Sequence, residues 1–200
     1  MTWELLLTFN IASIAAWLSP GPAMLVAIRT ALVKGRQAGI LIGVGLAFIA
    51  SMWVLAALLG LHVVFKWFPW AYIVVKVCGA AYLFYIAWNT WKDARKPLDV
   101  KTEAKSRPLI EGMLLNLSNP KSVLFAAAVL VVIFPPDISA IAKAGIVINL
   151  FVFEVTAYTI LAYCMTTKAV SESYLRLKVY MDRFAAIVLS ALGLRLLFQK

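Results

Sequence analysis

Charge is scarce in this chain, and acidic charge is scarcest: nine Asp and Glu stand against nineteen Lys and Arg in 200 residues. Histidine occurs once, at His62, and cysteine twice, at Cys78 and Cys164. With no CxxC pair and no cluster of His, Cys and carboxylates, a metal site has no support in the sequence. Both cysteines fall within apolar runs, where a structural disulfide is not expected. GxSxG, HExxH and P-loop motifs are missing as well, so hydrolytic, metalloprotease and nucleotide-hydrolysing chemistries have no recognisable starting point. Neither an enzymatic activity nor a cofactor is expected.

What fills the chain instead is apolar: 64% of the residues are hydrophobic and the mean hydropathy is +0.91. A soluble domain does not carry such a composition. The expected class is an all-α integral membrane protein, because a spanning helix needs about 20 mainly apolar residues. Six segments fit: about Trp3–Ile28, Ala38–Leu61, Pro69–Trp91, Gly112–Phe134, Ala142–Thr167 and, shortest, Phe184–Phe198. A cleaved signal peptide would begin with a basic stretch. Nothing basic precedes Arg29, so the first run is read as a retained helix.

The basic residues orient the spans. Arg29, Lys34 and Arg36 follow the first, six Lys and Arg between Lys92 and Arg107 follow the third, and Lys168, Arg176, Lys178 and Arg183 follow the fifth. The positive-inside rule puts these loops in the cytoplasm and both termini on the outer, periplasmic side. The net charge of +10 then reflects topology and attraction to anionic lipid headgroups, not nucleic-acid binding. His62 falls in the short outer loop, where it is read as solvated. Trp67, Trp70, Tyr72, Trp88 and Trp91 fall near helix ends, as an interfacial aromatic belt requires, and Lys76 lies near enough to the outer surface to extend its stem there.

The polar stretch 92–111 divides a single transmembrane domain (1–200) into repeat one, about 1–91, and repeat two, about 112–200. Three spans on each side make the second half enter the membrane in the opposite sense, the condition for an inverted repeat. Leu18-Ser-Pro-Gly-Pro22 and Leu117-Ser-Asn-Pro-Lys121 then fall in the first helix of each half, about one hundred residues apart. Interior prolines break helices, and such breaks survive at membrane depth only where the freed backbone is buried in protein or lines a wet cavity. Paired breaks in matching positions point to a transporter's binding site; two isolated proline kinks are the simpler alternative. If both helices restart near the midplane, with Ser19 capping one and Ser118 or Asn119 the other, two positive dipole ends face one space and favour an anion such as a carboxylate.

Lys121 lies roughly 15 Å deep at 1.5 Å per residue, where a charge is expensive and a functional candidate by default. It either holds a substrate anion or bonds carbonyls freed by the first break. Glu154, near the middle of the fifth segment, either pairs with Lys121, binds a substrate ammonium or exchanges a proton. Asn116 and Asn149 are read as helix-to-helix hydrogen bonders, and Gly35, Gly39 and Gly43, spaced every fourth residue, as a close-packing stripe.

Three stretches carry a resemblance: "SPGPAMLVAIRTALVKGRQAGILIGVG" at 19–45, "KVCGAAYLFYIAWNTWK" at 76–92 and "LIEGMLLNLSNPKSVLF" at 109–125. Together, in order and over nearly the whole chain, they resemble the lysine and homoserine/threonine efflux family of amino-acid exporters. The resemblance implies a bacterial inner-membrane protein that exports amino acids and is driven by the proton motive force. Its first motif falls on Ser19, Pro20, Gly21 and Pro22, its second on Asn119, Pro120 and Lys121. Ala23 departs from the Asn frequent after the first motif, and Glu154 comes from the residues alone. The expected partners are an amino acid, a coupling proton, anionic lipids and a second copy of the chain. The rival readings are an exporter of another small metabolite or a cation, and a non-transporting membrane scaffold.

Overall fold

The computed structural model describes residues 3–18, 22–95, 107–135 and 138–198, and among them the chain is helical with no strand. The helices are α1 (Trp3–Leu18), α2 (Pro22–Lys34), α3 (Arg36–Trp67), α4 (Pro69–Asp93), α5 (Pro108–Leu117), α6 (Pro120–Ile133), α7 (Ala140–Met165) and α8 (Lys168–Phe198). Proline opens four of them, at Pro22, Pro69, Pro108 and Pro120. Its missing N–H is harmless there, because first-turn donors have no intrahelical acceptor. Gly35, at φ 84°, makes the turn between α2 and α3. This left-handed conformation favours glycine, so Gly35 serves the turn and not the expected packing stripe.

Both expected breaks are present. α1 and α2 meet at 64°, α5 and α6 at 68°, and each pair has the length and apolarity of one interrupted span. α3 and α7 are long and apolar enough to cross a membrane unaided, with hydropathies of 2.4 and 1.8 over Arg36–Gly60 and Ala140–Met165. Among the described residues that makes two candidate spans, or four with each bent pair counted as one. α4 and α8, expected as the third and sixth spans, fall outside this set. α4 ends in the polar Asn89-Thr90-Trp91-Lys92-Asp93, and α8 carries Lys178, Asp182 and Arg183 within its length.

Two expected loops are helical. α3 continues through His62 to Trp67, leaving only Phe68 before α4. The stretch 168–183 is the first half of α8, not a solvated connection. There Lys178 and Asp182, one turn apart, are 7% and 2% exposed and form an ion pair of 2.8 Å. The Lys178 ammonium also donates to the carbonyls of Asp93 and Ala94 at 3.3 and 3.1 Å, capping the C-terminal end of α4 from a neighbouring helix. Arg183 completes the joint by lying 5.2 Å over the Trp91 ring. A residue read as a cytoplasmic loop cation is thus the clamp between α8 and α4.

α3 is the hub: it packs against α2, α5, α6 and α7, while α4 packs on α6 and α8. Small residues set the approach. A Cβ on Gly45 would strike the Leu109 carbonyl, and one on Gly112 the Ile42 carbonyl, so the α3 and α5 backbones touch where these glycines cross. Gly39 abuts Ala31 and Ala162, and Gly43 abuts Tyr158, as the stripe requires. At the far ends of these helices, Arg36 lies 4.2 Å over Tyr163 and donates from Nε to the Thr166 hydroxyl at 3.4 Å, fastening α3 to α7.

Gly112→Ala should therefore destabilise the protein by about 1–3 kcal/mol, the usual penalty of overpacking. Gly60→Ala, where nothing lies within 4 Å of the added methyl, should be neutral or stabilising. Thermal unfolding of the two variants in detergent measures the contrast.

Candidate functional site

The helix interruptions leave carbonyls at the end of α1 and amides at the start of α6 without intrahelical partners, and local side chains take them up. Asn119, extended at φ −91°, ψ 103°, caps α6 with its Oδ1, which accepts from the Lys121 amide at 3.1 Å. Of the two caps the sequence offered, Asn119 serves, while Ser118 closes α5. The Lys121 ammonium reaches across to the Ala16 carbonyl at 3.3 Å. This is one of the carbonyls freed where α1 stops, so the backbone-bonding role anticipated for Lys121 is present.

Asn116 holds the second break in place. It is 3% exposed; its Nδ2 donates to the Leu46 carbonyl of α3 at 2.6 Å, and its Oδ1 accepts from the Ser122 hydroxyl in the first turn of α6. Its own carbonyl accepts from the Trp53 indole at 3.4 Å. One side chain thus ties α5, α6 and α3 together around the interruption. Asn149 bonds Asn10 at 2.8 Å, the interhelical role expected of it.

Between the two breaks lies a cavity of about 90 Å³, room for several waters or a small solute. It separates two apolar clusters: one contains Phe9, Val54, Ala126 and Leu150, the other Ala23, Met24 and Tyr158, and all seven reach its wall. Asn116, Asn119, Lys121 and Ser122 line it from α5 and α6, Glu154 and Tyr158 from α7, and Ser13, Ala16 and Trp17 from α1. The cavity wall thus carries one cation and one carboxylate from different helices among the described residues. The Glu154 carboxylate has no ion-pair or hydrogen-bond partner among them, whereas Lys121 also feels the charge of Asp182 on α8.

Of the sequence-predicted site, Asn119, Lys121 and Glu154 come together on this wall. Pro22 and Pro120 open the two half-helices beside it; Ser19, Pro20 and Gly21 lie outside the described residues. The backbone donors at the start of α6 are used locally, Pro120 having none, Lys121 bonding Asn119 Oδ1 and Ser122 bonding the Asn119 carbonyl at 3.1 Å. An anion there meets the Lys121 ammonium and the helix dipole in place of free amides. Sequence reasoning missed Ser13, Trp17 and Tyr158. Two signals were available: Trp17 directly precedes the first break, and Tyr158 lies one helical turn from Glu154 and shares its face.

Two interrupted apolar helices meeting at one cavity are the pattern that points to a membrane transporter. The chain belongs to the LysE type translocator family, whose model matches residues 14–200. It is similar to the threonine efflux protein of Salmonella typhi, 26% identical over 98% of this chain and 100% of that protein. The threonine efflux protein of Escherichia coli strain K12 is also 26% identical, over 98% of both chains. The homoserine/homoserine lactone efflux protein of Salmonella typhimurium is 27% identical over 64% of each. No solved structure matches the chain.

Asn116→Ala removes two buried side-chain hydrogen bonds, each worth roughly 0.6–1.5 kcal/mol. Its unfolding midpoint in detergent should fall measurably. Asn116→Asp, which turns a carboxylate oxygen on the buried Leu46 carbonyl in place of the amide donor, should fall at least as far.

Proposed function

We propose that the protein exports a zwitterionic amino acid across the bacterial inner membrane in exchange for protons. The observation that carries this reading is the convergence of Lys121 and Glu154, from α6 and α7, on one cavity between the two helix breaks. In that geometry the Lys121 ammonium and the α6 dipole attract the substrate carboxylate. Glu154, which has no partner of its own among the described residues, takes the substrate ammonium. A proton and an ammonium compete for the same carboxylate, so an amino acid leaving on one side and a proton entering from the other occupy Glu154 alternately. The names of the relatives, which specify efflux of threonine and of homoserine, support an amino acid over another metabolite or a cation.

The proposed architecture has six spans: the bent pairs α1/α2 and α5/α6, together with α3, α4, α7 and α8, as two inverted repeats. The basic residues around α2, α4 and α8 face the cytoplasm and its anionic lipids, and both termini face outward. Transport is a rocking of the repeats about the cavity.

Uptake of labelled amino acids into energised everted membrane vesicles tests this. Accumulation should be sensitive to an uncoupler and fall by about tenfold or more in Lys121→Ala, which loses a charge-assisted contact to the carboxylate. Glu154→Gln should lose uncoupler-sensitive accumulation. Wild-type rates in Lys121→Ala would remove the site assignment, and an unchanged pH profile in Glu154→Gln would remove the proton role.

A further inference from the structure

Three buried hydroxyl groups, those of Ser13, Thr30 and Ser51, have no hydrogen-bond partner among the described residues. A serine on a membrane helix ordinarily returns its proton to a carbonyl one turn back, as Thr8 does to Glu4 at 2.8 Å on the same helix. Ser13 does not, although it is 4% exposed. An orphaned buried hydroxyl is costly and calls for an explanation. Of the three, Ser13 alone lines the cavity.

One turn further along α1 stands Trp17, on the same helical face and on the same cavity wall. Its indole Nε1–H is buried and outside hydrogen-bonding geometry with any described group, although its ring sits edge-on against Tyr158, 5.7 Å between centroids, close enough to act on the phenol. The Ser13 hydroxyl thus has no described acceptor, and the Trp17 indole one turn away has only the Tyr158 phenol within reach. Around them the wall is apolar: Phe9, Ala50, Val54, Phe125, Ala126 and Leu150.

We infer that Ser13 and Trp17 form the side-chain subsite of the transporter, a specificity-determining pair that receives a hydroxyl or other uncharged oxygen on the substrate's side chain. The inference rests on the exporter reading, in which Lys121 and Glu154 take the main-chain charges. Those two are the cation and carboxylate that line the cavity among the described residues, so a second substrate charge has no counterion there. A site built to bond an oxygen rejects the isostere lacking it, because its own donors are then left unpaired. A merely apolar pocket hardly separates the two.

Threonine and valine are the isosteric pair that reads this out. Competition by each against flux of a transported amino acid should favour threonine by about tenfold in the wild type. In Ser13→Ala the preference should shrink towards unity through weaker threonine binding, with valine unaffected; Trp17→Phe should shift it in the same direction, and Ser13→Thr should retain it. Each ratio is internal to one variant, so reduced expression does not alter it. Equal competition in the wild type, an unchanged ratio in both Ser13→Ala and Trp17→Phe, or preferential transport of lysine or arginine would overturn the subsite while leaving an amino-acid exporter. Flux of no amino acid, with the protein inserted and folded, would instead overturn the exporter reading and the subsite with it.

Discussion

The structure turns on a single constraint: backbone polar groups at membrane depth must find partners inside the protein. Each interrupted helix frees carbonyls on one side of the break and amides on the other, and every local feature of the site follows from how they are satisfied. Lys121 reaches the Ala16 carbonyl at the end of α1, Asn119 folds back onto the Lys121 amide, and Asn116 binds Ser122 and the Leu46 carbonyl. The same groups that repair the breaks face the cavity. In the proposed exporter, repair and recognition are therefore coupled: a substrate anion drawing the Lys121 ammonium away from Ala16 would release part of what holds α1 to α6. That is the kind of shared contact through which substrate binding can bias two packings of the same helices.

Close packing keeps this arrangement from relaxing into an uninterrupted bundle. Gly45 and Gly112 let α3 and α5 touch backbone to backbone, and Asn116 lies one turn beyond Gly112 on α5 with its amide already on α3. The position of the break is thus fixed by a glycine crossing and a buried amide together. Between α4 and α8 the Lys178–Asp182 pair anchors α8 to the C-terminal carbonyls of α4. Buried pairs of this sort add little net stability but strongly disfavour arrangements that separate their members.

Much of this was legible in the sequence because proline and deep charge are hard to place elsewhere. Pro20, Pro22 and Pro120 announced the interruptions, and Lys121 and Glu154 stood out as charges within apolar runs; the bends appear at both positions and both charges reach one cavity. Helix extents were less legible. Hydropathy counts charge against a membrane span, so the basic stretch 168–183 read as a loop although its Lys178 is buried and partnered in α8. Gly35 and Gly39 share a four-residue spacing but not a role: one has a left-handed backbone and the other a close neighbour, a difference of local conformation that spacing does not encode. Ser13 was invisible for a similar reason. A serine in an apolar helix usually bonds its own backbone, and only the fold shows that this one does not.

The decisive measurement is substrate protection of the cavity wall. In a Cys78→Ser, Cys164→Ser background, a single cysteine is introduced as Ala126→Cys, a buried wall position beside the α5/α6 break, or as Tyr163→Cys, an exposed position outside the cavity. A small hydrophilic thiol reagent is applied to transport-competent everted vesicles with and without the transported amino acid. If the two breaks enclose the substrate site, the Ala126→Cys thiol is labelled and the amino acid slows that labelling in proportion to occupancy, while Tyr163→Cys labels at one rate throughout. Labelling of Ala126→Cys at the same rate with saturating substrate present, in vesicles that still transport, would mean that the substrate passes elsewhere and that the breaks serve only the packing.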